Sequence, residues 1–184
     1  DKTIALLKAE TDVPVIIFPG NTMQISAYAD AILLLSLISG RNAEMLIGNH
    51  VLAAPLIKEA NLETIATGYM LIDGGQTTAV QYMSNTMPIP SNKPEIAAAT
   101  ALAGQMLGMQ LIYMDAGSGA HQSVPLSMIK AVKQEINIPL IIGGGIKDAK
   151  SVTACCKAGA DVIVVGNLFE EQPEMVRALA DAMV

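Results

Sequence analysis

Three glycine-rich segments hold most of the chemistry this chain can do, each directly after a short apolar run: residues 113–120 (YMDAGSGA), 143–147 (GGGIK) and 166–167 (GN). Glycines at the end of a strand let backbone N–H groups approach an anion closely, and a following helix N-terminus adds partial positive charge. Glycines also satisfy tight strand-to-helix turns, so one such loop would decide little. Two in succession, after the last two apolar runs, point to phosphate. Asp115 follows one of those runs directly, and Tyr113 lies two residues earlier on the same side. A carboxylate beside a phosphate site is repelled by the anion and needs another task. Accepting hydrogen bonds from a polyol, or taking the proton of a hydroxyl, are such tasks. The alternative is a capping or turn aspartate.

Other polar residues are less committed. Arg41 and Asn42 follow the run at 31–40, where an Arg fork suits a diphosphate but an ordinary surface Arg fits as well. His50 sits among Val51, Leu52 and Ala53 and reads as a packed or solvated helix residue, while His121 falls in a loop. The 11 methionines read as gap-filling core. Tyr69, within Thr67-Gly68-Tyr69, either lines an apolar channel or packs.

These residues must be held by elements, and the pattern for that is regular. Apolar, strand-length runs fall at 15–18, 31–35, 64–72, 111–113, 140–142 and 162–165. Each is nearly continuous in apolar residues, as expected of parallel strands covered on both faces. Amphipathic stretches at 44–59, 93–107, 125–136, 149–158 and 173–183 predict helices between them, and 1–11 predicts a helix feeding the first strand. Asn42, Asn92 and Pro173 are start signals, and Gly108 and Gly159 stand where helix ends favour positive φ. Alternating strands and helices of this kind predict an α/β fold. Six parallel strands do not normally close a barrel, so the expectation is strands 3–8 of a (β/α)8 TIM barrel lacking its first strands, as one domain over 1–184. An open doubly wound sheet is the rival. The connection at 18–31 begins with turn chemistry (Pro19-Gly20-Asn21) and leaves little room for a helix. A barrel without one outer helix would have an open apolar groove there.

Composition narrows the function. With 184 residues, 52% of them hydrophobic and 15% charged, the chain suits one buried core. No apolar run is long enough to span a bilayer, and no secretory leader is visible. Cys155 and Cys156 are adjacent, a spacing that neither bridges readily nor binds metal, and read as reduced residues of a cytoplasmic protein. A net charge of −6 and 3% aromatic content argue against nucleic acid as a partner.

The three glycine-rich segments, in this order, resemble the geranylgeranylglyceryl phosphate synthase family, which includes the heptaprenylglyceryl phosphate synthases. The segments at 18–21 (FPGN), 39–42 (SGRN), 67–69 (TGY) and 82–86 (YMSNT) are similar to others of that family, especially its group II branch. The resemblance runs over essentially the whole chain. It implies a modified TIM barrel with one outer helix replaced by a loop. It implies that Tyr113, Met114, Asp115, Ala116, Gly117, Ser118 and Gly119 hold sn-glycerol 1-phosphate, with its phosphate against Gly143, Gly144, Gly145, Gly166 and Asn167. The reaction implied is transfer of a geranylgeranyl or similar prenyl group from a prenyl diphosphate to the glycerol 3-hydroxyl, in ether-lipid synthesis. Asp115 would be the catalytic base, Tyr69 would line the prenyl groove, and Mg2+ would bind the leaving diphosphate. A homo-oligomer (dimer or hexamer) and a peripheral membrane contact for product release are also implied.

The chain departs from the family in two ways. Members often carry Glu where this chain has Asp115, one methylene shorter. The Asp-containing metal motif and the glycine-serine motif of the first two strands are not in this sequence, which places its start in the second helix and leaves the metal ligands unnamed. Two other readings stay open: an isomerase or cyclase acting on a phosphorylated sugar-like substrate, and a non-catalytic phosphoprenyl-binding barrel.

Overall fold

The computed structural model describes residues 1–183. Six parallel strands form one sheet in strictly sequential order: β1 (Ile16–Ile17), β2 (Ala31–Leu37), β3 (Glu63–Leu71), β4 (Leu111–Asp115), β5 (Leu140–Gly143) and β6 (Val162–Val164). A doubly wound sheet reverses its strand order partway across, whereas an arc of a (β/α)8 barrel does not. The sequential order therefore selects the barrel arc over its rival.

Register decides which residues face inward. Leu37 pairs with Tyr69, Tyr69 with Tyr113 and Tyr113 with Ile141, so these four share a level and a face. With Leu33, Leu71 and Leu111 they form the inner cluster. Their neighbours Met70, Ile112, Met114, Leu140 and Ile142 point the other way, into the layer beneath the helices, and all are fully buried. That alternation explains the continuous apolar runs, since both faces of each central strand are covered. The edge strands are barer, and the inward-facing Ile16, Val162 and Val164 are exposed.

The helices are α1 (Lys2–Glu10), α2 (Asn49–Glu59), α3 (Ala79–Ser84), α4 (Pro94–Met106), α5 (Leu126–Glu135), α6 (Ala149–Ala158), α7 (Asn167–Glu171) and α8 (Met175–Asp181). Asp148 caps α6 by accepting from the Ser151 N–H at 2.7 Å. Gly159, at φ +117°, ends the same helix, and Gly108, at φ +93°, follows the end of α4. α4 packs closely on β3. A Cβ on Gly68 would stand 2.8 Å from Ile38 and Ile112, and one on Gly104 would stand 2.9 Å from Ile38, so two glycines let helix and strand close together.

Some expected boundaries shift. The stretch at 44–59 opens with a π turn (Glu44–Gly48) before α2, and Pro55 within α2 withholds one helical N–H. Asn92 does not cap the next helix; Lys93 holds that place and Pro94 opens the first turn. The last helix begins at Met175, two residues past Pro173. Two short helices, α3 and α7, had no legible period at six and five residues. Residues 18–30 contain no helix, as the turn chemistry there required.

Candidate active site

The carboxyl ends of β1, β3, β4 and β5 meet at an aromatic triangle. Tyr69 and Tyr113, level in adjacent strands, stand edge to face at 5.5 Å between ring centres. Phe18, at the exit of β1, leans on both, 6.0 Å from Tyr69 and 5.4 Å from Tyr113. Asp115 lies one step beyond Tyr113 on the inward face, opposite Leu71 on one side and Gly143 on the other.

Asp115 is held by both oxygens. The Tyr69 hydroxyl donates to its Oδ2 at 2.5 Å, and the Gly117 N–H donates to its Oδ1 at 2.7 Å. It is therefore a turn aspartate, as one reading allowed, and also a pinned carboxylate at the mouth. Burial raises the phenol of Tyr69 well above its ordinary value, and the adjacent Asp115 charge and hydrogen bond add to this. Tyr113 is raised for the same first reason and by the same charge. Both tyrosines therefore hold their phenolic protons more firmly than a free tyrosine, and Tyr69 donates its own to Asp115.

The glycine loops converge on this carboxylate. Gly144, at φ +81°, passes so close that a Cβ would lie 2.6 Å from the Gly117 nitrogen and 2.7 Å from Asp115 Oδ1. Gly145, at φ +68°, similarly abuts the backbone of Gln122 and Ser123. The Ser118 hydroxyl donates to the Asn167 side-chain oxygen at 2.9 Å and so joins the first loop to the third. Gly166 has nothing within 4 Å of where a Cβ would stand, which leaves its backbone open. Together they border a cleft of ≈ 640 Å³ lined by Tyr113, Asp115, Ser118, Gly119, Gly144, Gly145, Gly166 and Asn167, with Phe18, Lys147 and Glu171 at its sides.

Three of the expected residues do not line this cleft. Met114 and Ala116 are fully buried in the outer layer, because strand alternation turns them away from Tyr113 and Asp115. Their side chains do not reach the cleft. Gly143 does not line it either. A Cβ there would fall 2.5 Å from the Tyr113 hydroxyl, so this glycine makes room for the ring. Gly117 backs the cleft through its hydrogen bond to Asp115.

Beside the cleft lies an apolar cavity of ≈ 190 Å³, bounded by residues 18–22 of the helix-free connection, by β2, by α2 and by Tyr69. This is the groove expected there, and Tyr69 serves both spaces: its ring faces the groove and its hydroxyl holds Asp115. His50 proves to be a packing residue, its Nε2 2.8 Å from the Leu35 carbonyl. Arg41 turns back to donate to the Gly40 carbonyl at 2.7 Å, and it borders a separate polar pocket with Asn42 and Thr86. Asn42 ties that loop to α3, donating to the Ser84 carbonyl at 2.7 Å. His121 contributes its carbonyl, which accepts from Lys147 at 3.4 Å. Cys155 and Cys156 are free, and burial raises both thiols. Among the described residues no three His, Cys, Asp or Glu side chains converge to hold a metal ion, and no helix is long and apolar enough to cross a membrane.

Phe18 and Lys147 carry site positions that the motifs alone did not single out. The signal for Phe18 was parity: two residues past Ile16, which pairs with Ala31, it continues the inward face of a strand whose exit is the mouth. Lys147 was visible as the end of GGGIK but had no spacing that gave it a role.

The sequence pattern of the PcrB family matches residues 1–183. The geranylgeranylglyceryl phosphate synthase of Chitinophaga pinensis is 54% identical over 183 residues, which are all of this chain and 73% of that protein. The enzyme of the same name from Pyrococcus furiosus is 46% identical over 92% of this chain and 67% of its own length. The crystal structure of (S)-3-O-geranylgeranylglyceryl phosphate synthase from Thermoplasma acidophilum, in complex with its substrate sn-glycerol 1-phosphate, superposes with a TM-score of 0.91 at 37% identity, over 99% of this chain and 73% of that one.

Proposed function

The chain belongs to the PcrB family, and from this we propose that it is a prenyltransferase that joins a prenyl group to the 3-hydroxyl of sn-glycerol 1-phosphate. The observation that carries the reading is the pinned Asp115, set where a backbone-lined polar cleft adjoins an apolar cavity. An acceptor with a phosphate at one end and hydroxyls at the other suits the cleft. Its phosphate lies against the N–H groups of Gly144, Gly145, Gly166 and Asn167, and its hydroxyls reach Asp115 and Ser118. A hydrocarbon donor suits the cavity.

The chemistry follows from that placement. The bond between the donor's allylic carbon and its diphosphate oxygen breaks, and the electron pair leaves with the diphosphate. The glycerol 3-oxygen bonds to the carbon and gives its proton to Asp115. Two hydrogen bonds fix the direction of the carboxylate, so an acceptor held in the cleft meets it already oriented. An isomerase or cyclase would have no use for the apolar cavity.

Mg2+ belongs to the proposal as the neutralising partner of the leaving diphosphate, and no residue of this chain is assigned to it. Self-association is proposed from the large apolar side chains left exposed on α3 and just after it (Tyr82, Met83 and Met87) and on α2 (Val51 and Leu52). We place the protein in the cytoplasm, with a peripheral membrane contact through which its lipid product departs. The test is stoichiometric: pyrophosphate should be released from a prenyl diphosphate when sn-glycerol 1-phosphate is present and not when it is omitted. Release that ignores the acceptor would overturn the reading.

A further inference from the structure

Among the described residues, Phe18 alone borders both the apolar cavity and the polar cleft. Its ring packs on Tyr69 and Tyr113, and it is 45% exposed at the exit of the edge strand β1. A donor seated in the cavity and an acceptor seated in the cleft meet beside this ring. No Asp, Glu, Lys or Arg borders the apolar cavity, so a charge that develops on its side finds no ionic partner there. The charge that develops is positive. As the carbon–oxygen bond to diphosphate breaks, the electron pair leaves with the oxygen and the allylic carbon becomes cationic until the glycerol oxygen supplies a new pair.

We propose that Phe18 stabilises this cationic carbon through the negative face of its ring, which the bound prenyl chain and acceptor cover and so desolvate. Tyr69 and Tyr113 act as positioning residues, steeply inclined to Phe18 at 68° and 67°, and hold it at the junction. Asp115, next to the same gap, receives the proton of the incoming hydroxyl. The inference rests on the prenyl-transfer reading and adds a role for a residue outside the glycine loops.

The experiment uses the full-length protein with sn-glycerol 1-phosphate and a prenyl diphosphate. Phe18→Leu keeps the apolar bulk and removes the ring's charge distribution. It should lower kcat roughly 30-fold, the rate equivalent of a desolvated cation–π contact, with both KM values within about threefold. Phe18→Tyr should retain most of the rate. Replacing Phe18 with mono-, di- and trifluorinated phenylalanine changes the ring's polarity with little change in shape, and log kcat should fall steadily across the series. A flat series with an active parent would overturn the role of Phe18 while leaving the prenyl-transfer reading intact. A parent that forms no product with any donor overturns both.

Discussion

Substituting Asp115 by Asn separates the carboxylate's chemical role from its structural one. The two donors that the side chain accepts from differ in freedom. Gly117 N–H, at 2.7 Å from Oδ1, is fixed by the backbone, whereas the Tyr69 hydroxyl, at 2.5 Å from Oδ2, can rotate. The substituted amide will therefore turn its oxygen to Gly117 and its NH2 to Tyr69, whose hydroxyl reverses to accept. Both contacts survive as neutral hydrogen bonds, each weaker than the charge-assisted one it replaces by about 1 kcal/mol. The fold should tolerate this. The glycerol hydroxyl, however, loses its proton acceptor, and general-base assistance is worth roughly 10²- to 10⁴-fold in rate. Binding of inorganic phosphate should change by less than about threefold, because the phosphate cradle is backbone and Asp115 contributes only repulsion to it. Single-turnover kinetics give the rate, and isothermal titration gives the affinity. A variant that turns over within tenfold of the parent would remove Asp115 from the mechanism; one that loses phosphate binding would show that it builds the cradle instead.

Other outcomes follow from the same geometry. Gly144→Ala forces an L side chain to φ +81° and against the Gly117 nitrogen; relieving about 1–2 kcal/mol of strain moves the loop off its cradle geometry, and affinity for sn-glycerol 1-phosphate should fall roughly 5- to 30-fold by titration. Gly104→Val overfills the contact with Ile38 and Ile112 and should cost about 1–3 kcal/mol in urea unfolding. The raised phenols of Tyr69 and Tyr113 make stability depend on pH only on the alkaline side. Below pH of about 10 both folded and unfolded chains keep their phenolic protons; above it the unfolded chain releases them first and stability declines. Tyr69→Phe should make the fall of Tm above that pH shallower, which a pH series of melting curves reads directly. Because burial raises both thiols, alkylation of Cys155 and Cys156 by iodoacetamide at pH 7 should be slower than that of a free thiol.

The arc of parallel strands was legible because each central run is apolar on both faces, and the loops were legible because glycines cluster after them. Alternation across β4 misled wherever a motif was taken whole. YMDA reads as four site residues, yet Met114 and Ala116 must point away from Tyr113 and Asp115. Gly143 was legible as a glycine but not for its reason, which is the ring of Tyr113 in the neighbouring strand, a contact set by register rather than by spacing. The hydrogen bond from Tyr69 to Asp115 spans 46 positions and leaves no local trace. Phe18 ended a run of only two paired residues, too short for its parity to be read with force.

The most direct test of the central claim is a coupling assay with full-length protein, Mg2+, radiolabelled sn-glycerol 1-phosphate and prenyl diphosphates of graded length. The geometry predicts that label passes into the organic phase with at least one donor, and that the preferred donor reports the depth of the cavity beside Tyr69. If label stays in the aqueous phase with every donor while sn-glycerol 1-phosphate still binds tightly, the protein is a phosphate-binding barrel and not a prenyltransferase.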